Sequence, residues 1–328
     1  MLSKMIGQAR VPQTLLLAGP EGIGKATLAR RFAALLLGGN GKIERDDLSL
    51  AHNLASMTER ERWPAEKRSE EPLFFASHPD FLTFPPDGPL RQISIQQMRL
   101  LKERAQFKPF GGKRSVFLID RIDRAGEQAA NSLLKILEEP PDHLILVLTA
   151  ENPYDLLPTI RSRAVPFHLT PLREEEMRRF AESRGLSDAE RRVRLASGSP
   201  GLALSLDLEA YDRRREAMLT LLRVAAAEIP FGAWVRHTET APGARQEKLE
   251  PYLKVLYMLL EDLLVLVQGG GEIRNSDVKE ALDGLAARMT FDWIRSAVKK
   301  VDELAELLRR NIQKNIALDA FALELRAG

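Results

Sequence analysis

The residues that most constrain the fold of this chain are Gly19-Pro-Glu-Gly-Ile-Gly-Lys-Ala-Thr27. They follow a short apolar run, Thr14–Ala18, and lead into Lys25–Leu37, where apolar side chains recur at helical spacing. A strand, a glycine-rich turn and a helix in this order are typical of a loop whose backbone N–H groups surround nucleotide phosphates. The sequence therefore predicts a phosphate-binding loop within an α/β domain.

One position of this loop departs from the usual pattern. The motif G-x-x-x-x-G-K-[ST] is matched at Gly19, Gly24 and Lys25, but Ala26 stands where a Ser or Thr is expected. The missing hydroxyl normally holds Mg²⁺, whereas the lysine neutralises phosphate charge. We therefore predict a degenerate nucleotide site, made of Gly19, Gly22, Gly24, Lys25, Thr27 and Asp120.

The rest of the first half alternates between apolar runs and helical patterns. Strands are predicted at Asp80–Phe84, Ser115–Asp120 and Leu144–Thr149, and helices at Ile95–Ala105 and Ala125–Glu139. Such alternation predicts a parallel sheet with helices on both faces. Beyond Pro171 the pattern is helical, with short helices first and long ones afterwards. We expect three domains, at residues 1–170, 171–208 and 209–328.

The segment Gly38–Pro72 differs from its surroundings because it is polar and rich in charge. Runs of this kind are usually solvated. The sequence predicts an exposed insertion that is either partly helical or mobile.

Composition narrows the class of protein. The 48 basic and 46 acidic residues nearly cancel, so bulk charge does not point to nucleic acid. No cysteine is present, which excludes disulfides and cysteine-ligated metals. Met1–Arg10 lacks the apolar core of a signal peptide, and Val255–Val267 is too short to span a bilayer. We predict a cytoplasmic protein.

Asp120 ends a buried strand, the place where ATPases with such loops bind Mg²⁺ through water. The residue beside it is usually a glutamate that polarises the attacking water, but here it is Arg121. A guanidinium does not act as a base at neutral pH. Without the glycine loop, Asp120 would be interpreted equally well as a helix N-cap or turn residue, and both interpretations stay open.

Four further motifs carry a resemblance to a known family. Ala130-Asn-Ser-Leu-Leu-Lys-Ile-Leu-Glu-Glu-Pro-Pro141 and Leu156-Leu-Pro-Thr-Ile-Arg-Ser-Arg-Ala164 resemble segments of the bacterial clamp-loader subunits of DNA polymerase III, as do His78-Pro-Asp80 and Asn315–Leu325. The resemblance implies an AAA+ P-loop NTPase domain, a small helical lid domain (171–208) and an all-α collar domain (209–328).

Within that family the chain is most similar to the delta-prime subunits. The motor subunits, gamma and tau, carry a hydroxyl, a glutamate and a sensing arginine where this chain has Ala26, Arg121 and Gly201. The resemblance thus implies ATPase activity that is absent or very weak and no required cofactor, and leaves weak ATP or ADP binding open. Because Gly38–Pro72 has no cysteine, no zinc is predicted.

Arg163 is the site residue that matches the family's motif. There, the corresponding arginine acts as a finger that reaches the ATP of a neighbouring subunit. The implied partners are the gamma/tau and delta subunits in a hetero-oligomeric complex, the sliding clamp, and primed DNA through that complex. The alternative for Arg163 is a surface residue beside Arg161.

Three alternatives remain open from the sequence. The chain is alternatively a gamma/tau-like motor in which Thr27 replaces the missing hydroxyl, or a P-loop scaffold outside replication. The third open question is the role of four cations, which either contact DNA phosphates or are solvated charges on a helix and the loop after it. These residues are Arg99, Lys102, Arg104 and Lys108.

Overall fold

The computed structural model describes residues 2–8, 10–240, 249–308 and 314–327. The chain forms two compact units: Met1–Ser183 with Gly198–Leu202, and Arg184–Ser197 with Ala203–Gly328. The predicted division at residues 170 and 208 stays a prediction. The predicted collar includes residues 241–248 and 309–313, which lie outside the described residues.

A six-stranded sheet organises the first unit, in the order β2-β3-β4-β5-β1-β6. Only β2 is antiparallel to its neighbour; all other pairs are parallel. The strands β1, β3, β4 and β5 are buried at every position, which explains their continuous apolar sequences. The strands are β1 (Thr14–Ala18), β2 (Phe75–His78), β3 (Phe81–Phe84), β4 (Ser115–Ile119), β5 (Leu144–Ala150) and β6 (Val165–His168).

Helices cover both faces of this sheet, as predicted. Alternate residues of β1 enter different apolar clusters: Leu16 packs with one, and Leu15 and Leu17 with the other. The helices are α1 (Leu2–Gly7), α2 (Lys25–Leu37), α3 (Asn40–Ile43), α4 (Ala51–Arg60), α5 (Ala65–Glu70), α6 (Ile95–Arg104), α7 (Glu127–Glu138), α8 (Pro158–Arg161) and α9 (Glu174–Ser183). The expected α/β class is therefore confirmed.

The predicted strands and helices of this unit match to within two residues at either end. At α6 the start is fixed by a capping box, since Ser94 Oγ accepts from the Gln97 N–H (3.2 Å) and Gln97 Oε1 from the Ser94 N–H (2.8 Å). Two strands, β2 and β6, were not predicted. Both are short, half-exposed edge strands, and β6 contains Pro166, which lacks an N–H to donate.

The segment Gly38–Pro72 is the main difference from expectation. Its helical alternative is confirmed by α3, α4 and α5, but its description as exposed is wrong for the inner face. Ile43 and Met57 are buried there. Arg60 is also buried and donates to both carboxylate oxygens of Asp87, at 3.0 and 2.7 Å. A charged sequence therefore packs inward because its buried charges are paired.

The described part of the second unit is all-helical, as predicted. Its core includes Leu256, Leu259 and Leu263. None of the helices in the described part of the chain is long and apolar enough to cross a membrane. The helices are α10 (Ala189–Ala196), α11 (Pro200–Ser205, shared between the units), α12 (Leu208–Ala225), α13 (Phe231–Thr240), α14 (Glu250–Val267), α15 (Lys279–Ala286), α16 (Phe291–Leu308) and α17 (Lys314–Ala327).

A buried carboxylate fixes the turn that follows Gly269–Gly271, between α14 and α15. Asp262, on α14, accepts from the Arg274 and Asn275 backbone N–H groups at 2.8 and 2.9 Å, and from Asn275 Nδ2 at 2.8 Å. Asn275 Oδ1 in turn accepts from the Tyr211 hydroxyl at 2.7 Å. Burial raises the pKa of Tyr211 to about 12, so this hydroxyl stays protonated. One network thus joins α12, α14 and the turn.

We expect Asp262→Ala to lower the free energy of unfolding by about 2–4 kcal/mol, because buried N–H donors lose their acceptor. Denaturant unfolding followed by circular dichroism measures this loss. The matched control is Asp283→Ala on the exposed face of α15, with an expected change within about 0.5 kcal/mol. Equal effects of the two substitutions would contradict the structural role of Asp262.

Candidate functional site

The predicted phosphate-binding loop lies between β1 and α2. Gly19, Gly22 and Gly24 have φ values of 152°, 74° and 98°, a range that other residues rarely adopt. A Cβ on Gly19 would lie 2.3 Å from the carbonyl oxygen of Leu169. The glycines are thus required by the turn and by close backbone contacts, whether or not a nucleotide binds.

Lys25 does not extend into the space above the loop. Its ammonium donates to the carbonyl oxygens of Gly19 (2.5 Å) and Pro20 (2.7 Å), and its side chain is buried. Burial lowers the pKa of Lys25, while Glu151 and Asp120 act in the opposite direction. The cation that would neutralise phosphate charge is held by carbonyl groups of its own loop.

The loop is also covered by backbone from residues 201–202. The Gly201 N–H donates to the Gly22 carbonyl oxygen at 2.8 Å. A Cβ at Gly201 would lie 2.8 Å from that oxygen, and one at Gly22 would lie 2.7 Å from the Leu202 nitrogen. Gly201 therefore occupies a place with no room for a side chain of any kind.

The Thr27 hydroxyl makes a contact within its own helix, and its role as a replacement for the hydroxyl missing at position 26 stays a prediction. Successive residues of an α-helix point about 100° apart, so Thr27 faces away from the direction of Ala26. Its Oγ1 accepts from Arg30 Nη2 at 3.4 Å. Arg30 is itself paired with Glu44 (3.1 Å) and Asp47.

Asp120 lies at the end of β4 and is bound to the neighbouring strand. Its Oδ1 accepts from the Thr149 hydroxyl at 2.6 Å, and that hydroxyl oxygen accepts from the Arg121 N–H at 2.8 Å. Thr149 is completely buried in β5. These hydrogen bonds support the interpretation of Asp120 as a structural turn residue.

Arg121 forms what we call the arginine bridge, the cluster of Arg121, Glu21 and Glu151. Its guanidinium pairs with Glu151, directly after β5, and lies 3.6 Å from Glu21 in the loop. Burial opposes its charge, but Glu151 and Glu21 outweigh that effect and raise the pKa of Arg121. The backbone of Arg121 is left-handed, with φ 59°. The arginine thus joins the carboxyl ends of three strands.

Acidic groups outnumber cations around the loop. Asp123 faces Arg121 and its pKa is raised by burial, with Arg121 acting in the opposite direction. Its Oδ1 has no hydrogen-bond partner within the described residues. The interacting groups around the loop are three cations, Lys25, Arg121 and Arg124, and four carboxyl groups, on Glu21, Asp120, Asp123 and Glu151. A polyanionic ligand would therefore meet net negative charge.

Arg163 lies away from this cluster, at the other edge of the sheet. It precedes the start of β6, whereas the loop follows the end of β1, and these strands are parallel. Arg163 is exposed and donates to Glu138 Oε1 (2.8 Å) and to the Thr159 carbonyl (2.9 Å). The adjacent Arg161 stacks over the Tyr154 ring at 5.1 Å.

The structure brings Lys25 and Asp120 together but separates Arg163 from them, and their assignment as site residues stays a prediction. Sequence analysis missed Glu21 and Glu151, whose only signal was their place in the loop and directly after an apolar run. It also missed Glu138 as the partner of Arg163.

No group of three His, Asp or Glu side chains suited to a metal occurs in the described ranges. The absence of zinc stays a prediction.

Comparison with known proteins identifies relatives. The family model described as DNA polymerase III, delta subunit, matches residues 1–173, more than half of the chain. DNA polymerase III subunit delta' of Pseudomonas aeruginosa is 30% identical over 295 residues, 89% of this chain and 72% of the relative. The delta' subunit of Escherichia coli is 29% identical over 71% of this chain and 69% of the relative. Subunit gamma/tau of Mycobacterium tuberculosis is 30% identical over 62% of this chain, but only 34% of that relative.

We expect Gly201→Ala to lower the free energy of unfolding by about 1–3 kcal/mol, because its Cβ would collide with the Gly22 carbonyl. Thermal unfolding measures the loss, and faster hydrogen exchange of the residue 201 amide localises it. Gly41→Ala is the matched control, since a Cβ there meets open space in a helix. A normal exchange rate at position 201 would show that the contact is unimportant.

Proposed function

The chain belongs to the DNA polymerase III delta-prime family, and on that premise we propose that it is a clamp-loader subunit that does not hydrolyse ATP itself. In this role it completes a hetero-oligomeric complex and contributes an arginine to a neighbour's nucleotide site. It requires no cofactor of its own.

The arginine bridge is the observation that carries this proposal. Phosphoryl transfer depends on positioned cations and on a group that orients the attacking water. Here Ala26 offers no metal ligand, and the guanidinium of Arg121 replaces the carboxylate beside Asp120. Arg121 is already paired with Glu21 and Glu151, so a phosphate would have to compete with two carboxylates for its guanidinium.

The surroundings of Arg163 support a role toward a second molecule. Its guanidinium is exposed, and the strand polarity places it at the opposite edge from its own phosphate-binding loop. It cannot serve that loop in the same chain. Its contact with Glu138 orients the side chain, and an exposed ion pair of this kind is weak enough, at about 0–1 kcal/mol, to exchange for a phosphate.

The proposed partners follow from the family. They are the gamma/tau motor subunits and the delta subunit, with the sliding clamp and primed DNA reached through the complex. The all-helical second unit, with its extended apolar core, supplies the collar in this proposal.

An active motor is the rival proposal within the same family. It needs Thr27 as a metal ligand, but Thr27 Oγ1 faces Arg30. A scaffold outside replication is the rival from another class. Co-purification with gamma/tau and delta subunits distinguishes a clamp-loader subunit from a scaffold, because a scaffold unrelated to replication would not bind these subunits.

We expect the isolated chain to show no saturable, Mg²⁺-dependent ATP binding and no turnover, because the loop is filled by Lys25, Arg121 and Gly201. Equilibrium titration with a fluorescent ATP analogue, with and without Mg²⁺, measures binding. Lys25→Ala is the informative variant: it should leave the result unchanged. Turnover that Lys25→Ala abolishes would support the active motor instead.

We expect Arg163→Ala to slow hydrolysis at one neighbouring site by about 10³-fold or more, the range for an arginine supplied in trans. Single-turnover ATP hydrolysis by the reconstituted, clamp-stimulated complex would then lose a fixed fraction of its fast phase. Arg161→Ala, two residues away, should retain it.

Assembly of both variants is checked by size-exclusion chromatography, so that a loss of complex is not mistaken for a loss of chemistry. An intact fast phase in a fully assembled Arg163→Ala complex would refute the trans role.

A further inference from the structure

A rigid, cationic loop displays two aromatic rings on the first unit. We call residues 105–114, between α6 and β4, the aromatic loop. Phe107 and Phe110 are 61% and 87% exposed there. Water does not favour such exposure, and large apolar side chains left on a surface usually mark an interaction site.

The aromatic loop is fixed at its start and in its middle by buried or half-buried polar groups. The Asp80 carboxylate accepts from the N–H groups of Phe110 (2.6 Å) and Gly111 (2.9 Å). His143 Nε2 donates to the Ala105 carbonyl at 3.1 Å. Asp80 is itself buried. The backbone therefore holds the two rings outward, and their exposure does not result from a loose chain.

This arrangement also explains the His78-Pro-Asp80 motif, which the nucleotide site does not use. The Asp80 N–H donates to His78 Nδ1 at 3.1 Å, which directs the short turn between β2 and β3. The motif thus supplies the anchor for the aromatic loop.

Cations surround the rings. Within residues 102–114 a single acid, Glu103, stands beside five cations. In the described part of the chain, no ion pair involves Lys108, Lys113 or Arg114. The five are Lys102, Arg104, Lys108, Lys113 and Arg114. The surface therefore suits a polyanion.

The backbone between the rings and the last cations is bare. Gly111 and Gly112 carry no side chain, and nothing lies within 4 Å of the place where a Cβ on Gly112 would stand. A phosphate group can approach such a backbone closely.

We propose that the aromatic loop binds single-stranded nucleic acid. Phe107 and Phe110 stack on successive bases, while Lys108, Lys113 and Arg114 contact the phosphates between them. Exposed rings interleaved with cations are the usual design for binding single strands without sequence preference. An acidic protein segment would satisfy the cations but would not need two open ring faces.

This inference does not depend on the state of the phosphate-binding loop. The aromatic loop precedes the start of β4, whereas the phosphate-binding loop follows the end of β1, and the strands run parallel. The two sites therefore lie at opposite edges of the sheet, and failure of one does not affect the other.

The experiment measures binding of the full chain to fluorescent oligothymidylate of about 20 nucleotides by anisotropy at several salt concentrations. We expect Phe110→Ala to weaken binding by about 5- to 150-fold, the equivalent of one lost stacking contact. Lys113→Ala should reduce the slope of log affinity against log salt by about 0.7. Phe291→Ala, at the exposed start of α16, is the matched control and should leave binding unchanged.

Two replacements at position 110 separate stacking from simple apolar contact. Phe110→Trp should retain or tighten binding, whereas Phe110→Leu should weaken it as Phe110→Ala does, because leucine has no ring to stack on a base. Full binding by Phe110→Leu would overturn the proposal, because the oligonucleotide would then bind without stacking on a ring at position 110. Equal affinity of Phe110→Ala and Phe291→Ala would overturn it as well.

Discussion

The contact on which the loop region depends is the guanidinium of Arg121 between two carboxylates. Glu21 and Glu151 come from different segments, and half-buried carboxylates of like charge would repel each other without a cation between them. Arg121 adopts a left-handed conformation here, which costs about 1–2 kcal/mol for a residue with a Cβ. In an active site of this kind, a bound metal ion would offset part of this negative charge. Here the guanidinium of Arg121 offsets part of it.

Arg121 and Arg163 differ in how strongly their acidic partners hold them. Arg121 is partly buried and has two acidic partners, so removing it would leave carboxylates unpaired in a region of low dielectric. Arg163 has one exposed partner, Glu138, whose contribution is small because water competes for both groups. Arg121 is therefore held by two partly buried partners, whereas Arg163 is held by one exposed partner.

The elements that were predictable from the sequence are those whose pattern is local. β4 and β5 appear as continuous apolar runs because both of their faces are buried, and α6 begins at a capping box within four residues. The edge strand β6 was missed because its residues are only partly buried and because Pro166 is atypical of a strand. The arginine bridge joins residues 21, 121 and 151, and Asp80 binds amides thirty positions away. Such pairings depend on the sheet order, which no local pattern records.

Strand polarity gives the sheet two unlike edges. α/β proteins generally place their ligand at the carboxyl ends of the strands. In this chain, that edge is occupied by its own side chains, while Arg163 and the aromatic loop lie at the amino edge. Among related chains, substitutions at the carboxyl edge would then be limited by internal fit and would change in compensating groups. Substitutions at the amino edge would instead depend on the molecules that these residues contact. Residues at the two ends of the same sheet would therefore evolve under different constraints.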